Sequence, residues 1–93
     1  MLAFRSYHQL FTDFVRKQAT RWRDKTVLDI GCGTGRLSVF FAERNMVTGV
    51  DIQNNATVTH ANFTFTQSDA EALPFPDRGF DVVVTLDVIE HVE

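Results

Sequence analysis

The chain reads as an α/β domain, a Rossmann-like parallel sheet of about four strands with flanking helices. Three observations predict this fold class. A short apolar run, residues 26–30, stops abruptly at glycines; a glycine-rich turn then leads into a helical pattern; and three further runs rich in β-branched and aromatic residues follow.

The elements follow in order. Tyr7, Leu10, Phe11, Phe14 and Val15 recur at the spacing of one helical face, which predicts an amphipathic helix over residues 6–20 with those side chains inward. Residues 26–30 suit a buried parallel strand better than a half-exposed antiparallel one. Leu37, Phe40 and Phe41 return to helical spacing, in a helix expected to end near Arg44 and Asn45, with Asn45 in a left-handed cap. Residues 47–52, 63–67 and 80–86 read as the second, third and fourth strands. The polar, Asn- and Thr-rich residues 53–62 lack apolar periodicity, so a short or irregular connection is expected there instead of a long crossover helix. Both prolines, Pro74 and Pro76, mark a loop before the fourth strand.

Composition sets the bounds. With 93 residues, 44% hydrophobic and 12% aromatic, the chain holds enough apolar side chain for one packed core. No apolar run approaches the roughly 18 residues that a membrane span requires, and Arg5, His8 and Asp13 interrupt the amino-terminal stretch. A soluble, cytoplasmic protein is expected. The single cysteine, Cys32, excludes an internal disulfide and a thiolate-rich zinc site. The formal charge of −3 is unevenly spread: residues 1–25 carry six Lys/Arg and two Asp/Glu, residues 26–93 three and ten. The basic part is more commonly a solvated helix face than a nucleic-acid site, so a nucleic-acid partner is disfavoured. Residues 1–25 are read as an amino-terminal helix and lead-in, and residues 26–93 as the core.

The chemistry concentrates at the turn Asp29-Ile30-Gly31-Cys32-Gly33-Thr34-Gly35. Alternate glycines permit positive φ and a close ligand approach, and a helix N-terminus behind them presents N–H groups. Arg36 stands where the dinucleotide fingerprint needs its third glycine, which argues against NAD or FAD, and no Gly-Lys-Ser/Thr ending follows, which excludes a triphosphate P-loop. Taken alone, such a turn is also compatible with a tight strand-to-helix connection that binds nothing. Asp51, 20 residues beyond Gly31, sits at the end of the second strand, where a carboxylate can accept from ribose hydroxyls. Asp69 follows the third strand. Asp29, Asp51 and Asp69 are therefore expected to line one crevice at the carboxyl ends of the strands.

Residues 27–38 resemble motif I of class I S-adenosylmethionine-dependent methyltransferases, and residues 49–52 resemble the acidic motif beside it. Residues 69–84 and 86–92 are similar to the type 11 branch that contains ubiquinone and menaquinone biosynthesis methyltransferases. The resemblance implies S-adenosyl-L-methionine as cofactor and methyl transfer to a small-molecule acceptor. It gives Asp29 and the backbone of Gly31 and Gly33 to the methionine portion, within a turn completed by Cys32 and Gly35. It further gives Asp51 to the ribose, Ile52 to the adenine face, Asp69 and the Ala70 N–H to the adenine edge, and Leu86 with Asp87 to the sulfonium and acceptor side.

Several residues carry two readings. Cys32 has no His adjacent in sequence to activate it and reads as a small wall residue. His91 is a candidate general base, against the plainer reading of a histidine at a helix start. Asp87, Glu90 and His91 form an acidic-x-x-Glu-His run of the kind that holds a divalent metal in some methyltransferases, but further ligands would have to come from elsewhere, and no metal is expected. The family's strand order predicts 3-2-1-4 for this chain, leaving the apolar fourth strand at an edge. Three explanations are compatible with that: a fragment truncated after the fourth strand, a homo-oligomer that covers the edge, or a cofactor-binding module without catalysis. A purely structural domain with a relic turn is the alternative from another class.

Overall fold

In a computed structural model, residues 7–69, 71–76 and 79–86 are described. Their order is helix α1 (Tyr7–Ala19), strand β1 (Thr26–Ile30), helix α2 (Ser38–Ala42), then strands β2 (Met46–Asp51), β3 (Phe63–Gln67) and β4 (Val82–Val84). The four strands form one sheet of order β3-β2-β1-β4 with every pairing parallel. This is the Rossmann-like arrangement that the sequence predicts, with β1 central and β4 at an edge.

The register explains the core. Val27 aligns with Val47, Phe63 and Val82, so these side chains share one face of the sheet. Against that face pack Val15 and Ala19 of α1 and Phe41 and Ala42 of α2, with Leu37 between, all buried. Trp22 closes the margin, its ring centroid 5.9 Å from that of Phe41. The helix thus shares its core with the sheet.

Three local expectations differ from what forms. The buried side of α1 runs through Phe11, Val15 and Ala19, while Leu10 and Phe14 are exposed, because the helix meets α2 and the sheet over a narrower stripe than the five-residue pattern suggests. Asn45 is not in a left-handed cap: Asp24, with φ 59°, is the only non-glycine of positive φ among the described residues. Instead the buried carboxamide of Asn45 donates to the carbonyls of Phe41 (3.0 Å) and Trp22 (3.1 Å) and accepts from the Lys25 amide (3.0 Å). The end of α2 is therefore capped by a side chain. The fourth strand is shorter than the 80–86 read from sequence.

At its start β4 is held by a reciprocal clasp. The Asp81 carboxylate accepts from the amide (2.9 Å) and hydroxyl (3.1 Å) of Thr26, and the Asp81 amide donates to the Thr26 carbonyl (2.9 Å). These hydrogen bonds favour the ionised acid and hold the Asp81 carboxyl below its ordinary value. No described helix is long and apolar enough to cross a membrane.

Candidate functional site

The glycine turn leaves β1 at the carboxyl edge of the sheet, where open parallel sheets bind ligands. Gly31, Gly33 and Gly35 have φ of 75°, 57° and 88°, all in the left-handed region, so the alternating glycines are a backbone requirement. The turn is bound to the end of β2. The amides of Gly31 and Cys32 donate to the Val50 carbonyl at 2.8 and 3.0 Å, and the Gly33 amide donates to Oδ2 of Asp51 at 2.9 Å.

This corrects one expectation. The N–H groups of Gly31, Cys32, Gly33 and Gly35 are all engaged within the fold, the last with the Cys32 carbonyl at 2.9 Å, instead of facing outward as ligand donors. Building the bend consumes them, because each must offset its burial with a partner.

Asp51 stands beside the turn, half-buried. Its Oδ1 accepts from the Gln53 amide at 3.0 Å while Oδ2 holds Gly33. A carboxylate oxygen offers two lone pairs, so each oxygen of Asp51 keeps a further acceptor direction. Ile52, next in the chain, is an apolar side chain 64% exposed at the carboxyl edge of the sheet. Asp69, exposed beyond β3, accepts the Glu71 amide at 2.9 Å, and the adjoining Ser68 amide donates to the Asp51 carbonyl, which ties the two strand ends together.

Asp29 departs from the three-carboxylate crevice. It is buried at 1% exposure beneath the turn and accepts the Ser38 hydroxyl of α2. Cys32 is equally buried, its sulfur turned toward Gly49: a methyl at Gly49 would lie 2.8 Å from Sγ and 2.8 Å from the Phe63 ring. Its sulfur packs between the turn and β2. Leu86 packs half-buried on the margin of the core. Ala70, Asp87, Glu90 and His91 lie outside the described residues.

Sequence reasoning missed the strap over the turn. Residues 53–62 are irregular, as expected, but fold back so that the amides of Thr57 (3.0 Å) and Val58 (3.3 Å) donate to the Thr34 carbonyl. Val58 then lies so close to Gly35 that a side chain there would meet its Cγ2 at 2.6 Å. The signal available in the sequence was Val58 itself, an apolar residue within a polar stretch. Ser38 was missed too, although its place at the start of the following helix puts its hydroxyl within reach of the β1 end.

Comparison with known proteins agrees with this arrangement. Residues 27–93 match the family model described as a methyltransferase domain, and the chain belongs to that family. It is 33% identical over 88 residues to the ubiquinone biosynthesis O-methyltransferase of Coxiella burnetii, covering 85% of this chain and 37% of that protein. It is 38% identical over 79 residues to the 27-O-demethylrifamycin SV methyltransferase of Amycolatopsis mediterranei, covering 71% of this chain and 29% of that one. A solved structure from Anabaena variabilis, assigned as a methyltransferase of an antibiotic biosynthesis pathway, superposes with a TM-score of 0.68 at 26% identity, over 83% of this chain and 33% of its own. The chain thus spans about a third of the length of these relatives.

Proposed function

We propose that this chain binds S-adenosyl-L-methionine at the carboxyl edge of its sheet and serves methyl transfer to a small-molecule acceptor. The observation that carries the reading is the Gly33 amide donating to Asp51 at 2.9 Å, which sets the carboxylate at the mouth of a side-chain-free bend. The residues present fit the cofactor: Asp51 accepts from ribose hydroxyls, Ile52 covers the adenine ring, and Asp69 accepts from the adenine amine, with the Ala70 N–H assigned to the adenine edge by the resemblance alone. Since their amides are engaged, Gly31 and Gly33 meet the methionine portion through carbonyl oxygens and bare Cα atoms, while Gly35, covered by Val58 and accepting the Val39 amide at 3.2 Å, shapes the turn from within, with Cys32 as the wall behind. Asp29 acts on the methionine portion from beneath the turn, held there by the Ser38 hydroxyl. Leu86 and Asp87 border the acceptor side, with His91 as the group to take a proton from it.

The cofactor, when bound, supplies a methyl group already activated by a sulfonium. The chain's own task is therefore to orient the acceptor in line and exclude water, and a proton acceptor such as His91 is needed only for a phenol or enol. The names of the relatives favour an oxygen on a small molecule as the methyl acceptor. A cytoplasmic location accompanies this reading, since a sequence with Cys32 as its one cysteine suits a reducing compartment.

A second reading is favoured by β4, which lies at the sheet edge with Val83 57% exposed: a cofactor-binding fragment or module without catalytic activity, or one that completes its sheet by oligomerising. Calorimetric titration with S-adenosylhomocysteine, followed by a search for methylated product among small phenols and enols, tests both. Absence of heat on titration removes the site; binding without product in any assembled form selects the module.

A further inference from the structure

Helix α1 buries one side and leaves another bare. Phe11, Val15 and Ala19 face the core, while Leu10 and Phe14 are 56% and 58% exposed, large apolar side chains one turn apart. At 3.6 residues per turn Lys17 falls on the same stripe, and exposed Arg21 continues it in the turn after the helix. Residues 7–23 hold Arg16, Lys17, Arg21 and Arg23 against a single acid, Asp13, which Arg16 already meets at 3.4 Å. The outward face of α1 is thus apolar toward its start and cationic toward its end.

We propose that this stripe docks the protein peripherally on an anionic lipid surface. Leu10 and Phe14 enter the boundary between headgroups and acyl chains, and Lys17 and Arg21 contact lipid phosphates. Charge complementarity selects this occupant. A second copy packed antiparallel on this face would set Lys17 over Phe14 and Arg21 over Leu10 of the other, taking two cations out of water with no acid beside them, which desolvation opposes. A nucleic acid would meet the cations but would leave Leu10 and Phe14 in water. A bilayer of negative surface supplies both the charge and the apolar depth. Two apolar side chains and two cations make a weak, reversible anchor, so both halves of the stripe are needed. The inference rests on α1 alone and stands apart from the cofactor assignment.

The test is co-sedimentation of the protein with phosphatidylcholine vesicles containing phosphatidylserine, and with phosphatidylcholine alone. The protein is expected to partition onto the anionic vesicles and to be released by salt, with affinity falling about tenfold or more in Leu10→Ser/Phe14→Ser and in Lys17→Glu/Arg21→Glu. All four side chains are exposed, although Arg21 also donates to Gln18 at 3.2 Å and lies 5.7 Å from the Trp22 ring centroid, so circular dichroism of each double variant is compared with the parent and Arg21→Gln serves as a milder control. No sedimentation of the parent, equal sedimentation with phosphatidylcholine alone, or variants that bind as well as the parent would each overturn the proposal. So would displacement from vesicles by duplex DNA at matched charge, or a dimer in light scattering that Leu10→Ser/Phe14→Ser dissolves.

Discussion

The amide of Gly33 donates to the carboxylate of Asp51 across 18 residues of sequence, joining the bend after β1 to the tip of β2 at 2.9 Å. One carboxylate therefore braces the backbone and, in the function proposed above, also faces the ligand. Asp51→Ala removes both, and its affinity for S-adenosylhomocysteine should fall at least about tenfold, roughly 1.4 kcal/mol. Asp51→Asn keeps an acceptor for Gly33 but loses the charge and one acceptor direction, so it should lie between parent and alanine. Calorimetric titration of the three proteins checks this; equal affinities would detach Asp51 from the site.

The strap over the turn yields a stability prediction. Gly35 combines φ 88° with Val58 Cγ2 at 2.6 Å from where a side chain would begin, so Gly35→Ala meets both backbone strain and overlap. It should lose about 2 kcal/mol or more. Gly49→Ala meets only overlap, with the Cys32 sulfur and the Phe63 ring at 2.8 Å. It should lose about 1–3 kcal/mol, and the combination Gly49→Ala/Phe63→Leu should recover part of that. Urea unfolding measures each; a Gly35→Ala protein as stable as the parent would mean that residues 57–58 do not rest on the turn.

The fold was legible wherever local pattern and tertiary role agree. Residues 26–30 and 63–67 became β1 and β3 with those boundaries because apolar or β-branched runs closed by glycine or polar residues have no competing use. The polar stretch 53–62 stayed irregular for the reason its composition gives. What sequence could not show is where each group turns. Leu10 and Phe14 fit the apolar period of α1 yet lie outside, since periodicity does not state how wide the contact with α2 is. Asp29 and Asp51 both end strands, but only the register and the Ser38 hydroxyl bury the first beneath the turn while the second stays at its rim. Amides near a helix N-terminus commonly serve as ligand donors; here the end of β2 engages those of Gly31, Cys32 and Gly33 first, a fact visible only once that strand is placed beside the turn.

The clasp between Asp81 and Thr26 makes stability depend on pH in acid. Hydrogen bonds from the Thr26 amide and hydroxyl lower the Asp81 pKa below its ordinary 3.8. A group whose folded pKa is depressed contributes stability that is complete above its unfolded value and is lost as pH falls through the folded one. The parent should therefore lose melting temperature below pH 3.8 more steeply than Asp81→Asn, and the two curves should converge at the lowest pH, where the parent's acid is protonated. Thermal melts followed at the far-ultraviolet helix band measure this. Parallel curves would show that the carboxylate does not hold β4 to β1.

Asn45 supplies the last prediction. Its carboxamide is buried among three backbone partners, donating to Phe41 and Trp22 and accepting from Lys25. Asn45→Ala leaves those groups without it and should cost about 2–4 kcal/mol, allowing for partial access of water at the margin. Asn45→Asp keeps the acceptor for Lys25 but replaces the donor with an oxygen aimed at two carbonyls. In a site this enclosed, an unpaired charge is worse than a gap, so aspartate should destabilise more than alanine at neutral pH, and the order should draw together as acid protonates it. Chemical denaturation at pH 7 and near pH 4 distinguishes the two. If aspartate were instead the milder change, the two carbonyls would have to face water, and the end of α2 would be capped by solvent and not by this side chain.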